Sequence, residues 1–260
     1  MISFDLRCTL SGSKGPLDLH LQGSINSQQI VGLYGPSGIG KTSLLSMLAG
    51  LLPPERGLLQ WGETTWLDTT KKIKVPIMRR GIGYLPQDYG LFPNMTIWQQ
   101  LRYAAPKGTP AAVLEEYLES LEIFALRHQR PGLLSGGQQQ RAALARVMAQ
   151  QPRLLLLDEP FSALDAGLRQ KAVALLQTYQ KTHPTPTLLV AHQLEVLQQL
   201  ADEVWTIRDG RLGQVTYTDE ATKDLSDQKD RELDELRAEL RRVKAELASL
   251  RGRLDGRNRK

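Results

Sequence analysis

The chain has 260 residues, 41% hydrophobic and 23% charged, which supports a sizeable core and excludes a disordered or fibrous chain. Its net charge of +5 does not mark a nucleic-acid surface, because residues 223–260 carry +3 and the preceding 222 residues only +2. Cys8 is the only cysteine and no apolar run approaches the roughly 18 residues of a membrane span, so the expectation is a chain from a reducing cytosol that has no disulfide, signal peptide or membrane crossing of its own.

Apolar and polar residues alternate from Leu17 to Leu21 as in a half-buried strand, and "QIVGLYG" is an apolar run leading into a glycine-rich loop. "SLLSMLAGLLPPERG" predicts a helix stopped by Pro53 and Pro54. Residues 58–86 read as strands and turns, with "GIGYLPQD" a short strand entering a loop. Segments 96–104, 110–122 and 138–150 predict helices, which makes the middle of the chain a helical block. "RLLLLDEP" and "TLLVAH" have the continuous apolar character of strands buried in a parallel sheet. "AGLRQKAVALLQTYQKTH" between them predicts a crossover helix, and "EVWTIRDGRLGQV" a hairpin turning at Asp209 and Gly210. No internal repeat is evident.

The chemistry concentrates in three places. Gly35, Gly40, Lys41 and Thr42 satisfy G-x-x-x-x-G-K-[ST] between a strand and a helix, the context that a phosphate-binding loop requires. Gly35, Pro36, Ser37, Gly38, Ile39 and Gly40, with Lys41, Thr42 and Ser43 opening the helix, would surround a β-phosphate. Lys41 would reach β and γ oxygens, and Thr42 would ligate Mg²⁺. Asp158 ends an apolar strand, where a carboxylate is costly to bury without a cation or donors. Magnesium supplies the reason. Glu159 follows and can point toward a water in line with a γ-phosphate. Ser135, Gly136 and Gly137 precede a helix, either as a second anion site or as a plain N-cap with a flexible lead.

Six motifs in order give the chain a specific resemblance over about residues 1–215. "GPSGIGKT" resembles Walker A, Gln87 in "YLPQD" the Q-loop, and "LSGGQ" the signature of ATP-binding cassette (ABC) transporter ATPases. "LLLLDEP" resembles Walker B with its catalytic glutamate, "SALD" the D-loop, and His192 the switch histidine. The resemblance implies an α/β P-loop NTPase core of ABC type, with an antiparallel β subdomain and a helical subdomain near residues 88–150. It also implies ATP and Mg²⁺ as cofactors and a head-to-tail dimer. In that dimer Ser135, Gly136, Gly137 and Gln138 of one copy close over the nucleotide held by the other. Glu159 would polarise the attacking water and His192 would contact the γ-phosphate. Gln87 would sense or ligate Mg²⁺ beside Thr42 and Asp158, and Asp165 would act across the interface.

"YLPQDYGLFPNMTIWQQL" is similar to importers, most closely those for molybdate and related oxyanions. The implied partners are integral membrane permease subunits contacted around residues 88–98 and a separate substrate-binding protein. The implied location is the cytoplasmic face of the membrane, peripherally. The chain departs from this pattern twice. Such subunits often carry a C-terminal regulatory barrel, for which 260 residues is too short. The family usually stacks adenine on an aromatic ahead of Walker A, whereas residues 5–33 contain none and a loop at 11–15 stands in its place. A soluble ABC ATPase acting on DNA or ribosomes, or a nucleotide-binding coiled-coil adaptor, is the alternative. Intact Glu159 and His192 count against the adaptor, and the near-neutral body against a nucleic-acid groove.

After Tyr217 the composition changes to dense alternating charge without aromatic residues or proline. Residues 216–228 read as a linker and 229–260 as a charged tail. Leu233, Leu236, Leu240, Val243, Leu247, Leu250 and Leu254 repeat at spacings of three and four, which predicts a parallel homodimeric coiled coil.

Overall fold

Two kinds of strand pairing share one sheet in the computed structural model, which describes residues 1–12 and 15–215. Strand β1 (Ile2–Gly12) pairs along its whole length with antiparallel β2 (Gly15–Ile25). Ile2, Phe4, Leu6 and Cys8 on β1 and Leu19, Leu21 and Ile25 on β2 are buried, the alternation expected of strands with one covered face. Gly12 and Gly15 are ladder partners. Of the stretch 11–15, expected as a loop, Ser11, Gly12 and Gly15 belong to the strand ladder, with Ser11 paired to Pro16. On the other side of β1 lie β4 (Arg56–Trp61), β5 (Thr64–Asp68) and the short β6 (Ile73–Lys74), all antiparallel.

The second half is parallel. Strands β3 (Ile30–Tyr34), β9 (Thr187–Val190), β8 (Leu154–Asp158) and β7 (Ile82–Leu85) lie side by side in that order. Every residue of β3, β8 and β9 is buried, which accounts for their unbroken apolar sequences. Strand β10 (Glu203–Arg208) joins β3 in parallel, and β11 (Arg211–Val215) folds back on β10. Asp209 and Gly210 form the two-residue turn with φ of 48° and 72°, as the Asp-Gly pair predicted. A single pairing of Arg211 with His20 joins this half to β2.

Helix α1 (Lys41–Ala49) packs over β8 and β9. It ends before the two prolines. Gly50 takes a left-handed φ of 83° and donates to Met47, while the Leu51 and Leu52 N–H groups both reach the Ser46 carbonyl. Between β7 and β8 come α2 (Ile97–Ala104), α3 (Ala111–Ser120) and α4 (Gly136–Ala149), the helical block. Thr96 caps α2 through a capping box with Gln99. The crossover from β8 to β9 is α5 (Ala166–Thr182), and a further helix α6 (Leu194–Leu200) that the sequence reading missed leads to β10. Met1–Val215 forms one compact unit. Among the described residues no helix is long and apolar enough to cross a membrane. The linker 216–228 and the heptad segment 233–254 lie outside the described residues.

Candidate active site

The parallel strands β3, β9, β8 and β7 present their carboxyl ends along one edge, the usual place for ligands on an open α/β sheet. In that order they carry loop 35–40, then Ala191 and His192, then Asp158 and Glu159, then Gln87. Register keeps these ends level: Leu33 and Asp158 both pair with Val190, and Leu157 with Leu85. Residues far apart in sequence thus become neighbours.

The loop after β3 turns into α1 at Gly40, whose φ of 103° belongs to the left-handed region and whose added Cβ would stand 2.7 Å from Leu19 Cδ1. Only glycine meets both demands without strain. Lys41 begins the helix, is 6% exposed, and donates through Nζ to the Gly35 and Pro36 carbonyls, each at 2.6 Å. Its ammonium is thereby folded over the loop where phosphate oxygens are expected.

Asp158 is 1% exposed, and apart from the adjacent Thr42 hydroxyl its carboxylate oxygens meet no hydrogen-bond partner among the described residues. Burial pushes its pKa above the ordinary carboxylate range. The Thr42 hydroxyl draws it back down, Glu159 raises it further, and Lys41 and His192 oppose that rise. A buried carboxylate with only a threonine hydroxyl beside it offers the hard oxygen donors that a magnesium ion prefers, usually with one or two carboxylates and substrate phosphates. The residues present therefore fit Mg²⁺ held by Thr42 and Asp158. Gln87, the third expected ligand, lies on the exposed turn after β7.

Glu159 meets His192, Oε1 to Nε2 at 2.6 Å. Its side chain is 14% exposed and that of His192 41%. The Glu159 backbone takes a left-handed φ of 53°, unusual for a residue with a Cβ. Its N–H donates to Val190 at 3.1 Å. Backbone strain of this kind gathers at functional sites. A cavity of about 230 Å³ opens beside the pair, lined by Glu159, Phe161, Ser162, Ala191, His192 and Gln193 among others.

The "SGGQQQR" stretch opens α4 as an N-cap. Ser135 accepts from the Gln138 N–H at 3.4 Å, and the Gln138 side chain accepts from the Ser135 N–H at 2.9 Å. The three glutamines then diverge, about 100° apart on the helix. Gln138 turns back to Ser135, while Gln139 donates to the Pro131 and Leu134 carbonyls at 3.1 Å. Gln140 reaches the loop after Asp158. Gly137 approaches that loop so closely that a Cβ would lie 2.9 Å from the Ala163 carbonyl oxygen. Asp165 caps α5 by accepting from the Leu168 N–H at 3.0 Å. Arg169 ties this region together, donating to the Leu164 carbonyl at 3.0 Å and to the Gln193 side chain beside His192. Gln140, Arg169 and Gln193 were not singled out by sequence reasoning. The one available signal was a run of three glutamines in a helix that must have a buried face.

Residues 19–162 match the model of the family described as "ABC transporter". The chain is 36% identical over 201 residues to the sulfate/thiosulfate import ATP-binding protein CysA of Mesostigma viride, covering 75% of this chain and 56% of that protein. It is 38% identical over 185 residues to the molybdenum import ATP-binding protein ModC of Brucella abortus (strain 2308), covering 70% and 52%. It is 42% identical over 185 residues to the Fe(3+) ions import ATP-binding protein FbpC of Pseudomonas fluorescens (strain Pf0-1), again covering 70% and 52%. The chain thus spans about half the length of these curated relatives. Among solved structures, a dimeric bacterial ABC transporter cassette is superposable with a TM-score of 0.70 at 25% identity, over 84% of this chain and 100% of that one.

Proposed function

The chain belongs to the ABC transporter family, and on that premise we propose that it binds and hydrolyses ATP to power import through a separate membrane permease. One observation carries the reading. The phosphate-type loop, the buried Asp158 carboxylate and the paired Glu159 and His192 stand on adjacent strand ends of one sheet.

In this reading loop 35–40 and the first turn of α1 bind the phosphates through backbone N–H groups and the Lys41 ammonium. Thr42, Asp158 and Gln87 would hold Mg²⁺, which would neutralise charge on the phosphates. Glu159 orients a water and takes its proton. His192 keeps that carboxylate aimed by the contact at 2.6 Å.

A second copy in head-to-tail contact brings Ser135, Gly136, Gly137 and Gln138 to the first copy's nucleotide, with Asp165 at the shared boundary. The N-cap geometry of α4 is compatible with that role, because a capped helix start still presents a positive dipole end. The permease would meet residues 88–98, where Phe92 stands 42% exposed, and nearby Tyr103 72% exposed. Molybdate or a related oxyanion is the proposed cargo, delivered by a separate binding protein. The support is the similarity to relatives named for molybdenum and for sulfate/thiosulfate import. Such a subunit works on the cytoplasmic face of the membrane.

The test is Glu159→Gln. The amide preserves shape but cannot take a proton from water, so steady-state ATP hydrolysis should vanish while ATP binding persists and a closed dimer accumulates. Hydrolysis near the wild-type rate would remove Glu159 from this role, and a wild-type chain without ATP hydrolysis would end the reading.

A further inference from the structure

Gln140 is a long amide, 1% exposed, in the interior of α4. A buried amide must satisfy its donors and acceptor, and here all the bonds go to one short loop. Its Nε2 donates to the Glu159 carbonyl at 2.8 Å and to the Ser162 hydroxyl at 3.1 Å. Its Oε1 accepts from the Ala163 N–H at 3.0 Å. The loop does not hold itself as firmly: the Ser162 N–H and hydroxyl reach the same Glu159 carbonyl at 3.3 Å and 3.2 Å.

We propose that Gln140 is a positioning residue for ATP hydrolysis, an inference that rests on the ATPase reading above. Glu159 sits at a left-handed φ of 53° that its own side chain disfavours. It is held on both sides: the N–H by Val190 of the sheet, and the carbonyl by Gln140 of the helix at 2.8 Å, the shortest of the three bonds it accepts. Without Gln140 the carbonyl keeps only the two longer bonds from Ser162 of its own loop, so the peptide between Glu159 and Pro160 can rotate and the carboxylate swings with it away from His192. The Ala163 bond extends the same control to the segment leading to Asp165. Because Ser135 to Gln138 open the same helix, any movement of that turn is transmitted to Glu159 through one rigid element. Gln140 touches no reacting atom and acts only through the backbone it holds.

Two substitutions in the full chain test this. Gln140→Met keeps length and removes both kinds of bond. It should lower kcat about ten- to a hundredfold, the cost of a small misplacement, with KM for ATP and the affinity for a fluorescent ATP analogue within about twofold of wild type. Gln140→Glu keeps the acceptor for Ala163 but loses the donor to Glu159. Burial raises the pKa of the introduced carboxyl, and once protonated it can donate again. Its kcat relative to wild type should therefore rise as pH falls from about 8 to about 6, a pH response that a merely structural role does not produce. Wild-type kcat in Gln140→Met, or a flat relative profile for Gln140→Glu, would overturn the inference. So would a loss of kcat that merely parallels lost nucleotide affinity and lost melting temperature, including failure of both variants to fold. If the wild-type chain hydrolyses no ATP, the ATPase reading fails first. Wild-type turnover with undiminished variants overturns the Gln140 role alone.

Discussion

Glu159 and His192, one residue beyond the end of β8 and two beyond the end of β9, are joined Oε1 to Nε2 at 2.6 Å. Strand pairing places them there, since Asp158 and Val190 are register partners. The imidazole fixes which way the carboxylate faces, and the carboxylate in turn orients the imidazole.

His192→Ala should therefore lower kcat by about a hundredfold or more, the usual scale for a residue serving general acid–base chemistry. Nucleotide affinity should be little changed, because in the proposed reading loop 35–40 and the first turn of α1 would supply most of the phosphate contacts. Steady-state ATP hydrolysis beside equilibrium binding checks this. Equal losses in both would show that His192 binds rather than aligns.

Asp158→Asn should stabilise the nucleotide-free protein. The Asp158 carboxyl has a folded pKa above its ordinary value of 3.8, chiefly from burial. Well below that value both states hold the proton and burial carries no charge penalty. As pH rises past it the unfolded chain releases its proton first, so the folded state binds more protons and stability falls with pH. The decline ends once the folded carboxyl has ionised. Above that point an amide, which carries no charge to bury, should be the more stable by about 1.4 kcal/mol for each unit by which burial raises the folded pKa. At roughly 2–4 °C per kcal/mol for a domain of this size, calorimetry without nucleotide resolves it. Adding Mg²⁺ and ATP should reverse the order. An acid-independent melting temperature in the wild type would contradict the argument.

Gly137→Ala should be harmful although alanine normally favours a helix by up to about 1 kcal/mol. The added methyl would stand 2.9 Å from the Ala163 carbonyl oxygen, a backbone atom that cannot turn aside. Helix α4 and the loop after Asp158 must then separate, weakening the Gln140 bonds. We expect at least about a tenfold fall in kcat without loss of single-chain nucleotide binding. A wild-type rate with a raised melting temperature would show that the helix can shift freely.

The β1 and β2 hairpin pairs Gly12 with Gly15 and offers no Phe, Tyr or Trp between residues 5 and 33. Base stacking is worth about 1–3 kcal/mol where it occurs. GTP should therefore be hydrolysed within roughly tenfold of ATP, a difference of about 1.4 kcal/mol. Competition kinetics measures the ratio, and a hundredfold preference for ATP would mean that some other group reads the base.

Much of this molecule was legible locally. The Gly-Lys-Thr loop between a strand and a helix, the four leucines ahead of Asp158, and the Asp-Gly turn at 209 and 210 each announce themselves within ten residues. Their determinants are local: left-handed φ at glycine, an alternating or continuous apolar run, a side chain that caps its own helix. Even there, the helix end at Gly50 was obscured by the two prolines beyond it. Tertiary structure alone decided which distant groups meet. Glu159 faces His192 because a whole parallel sheet chose one register, and a slip of one residue would turn that face away. Gln140, rather than Gln138 or Gln139, reaches Glu159 because packing of α2, α3 and β7 on α4 sets the helix's rotation. Three identical side chains 100° apart then receive three different neighbours, and composition cannot distinguish them.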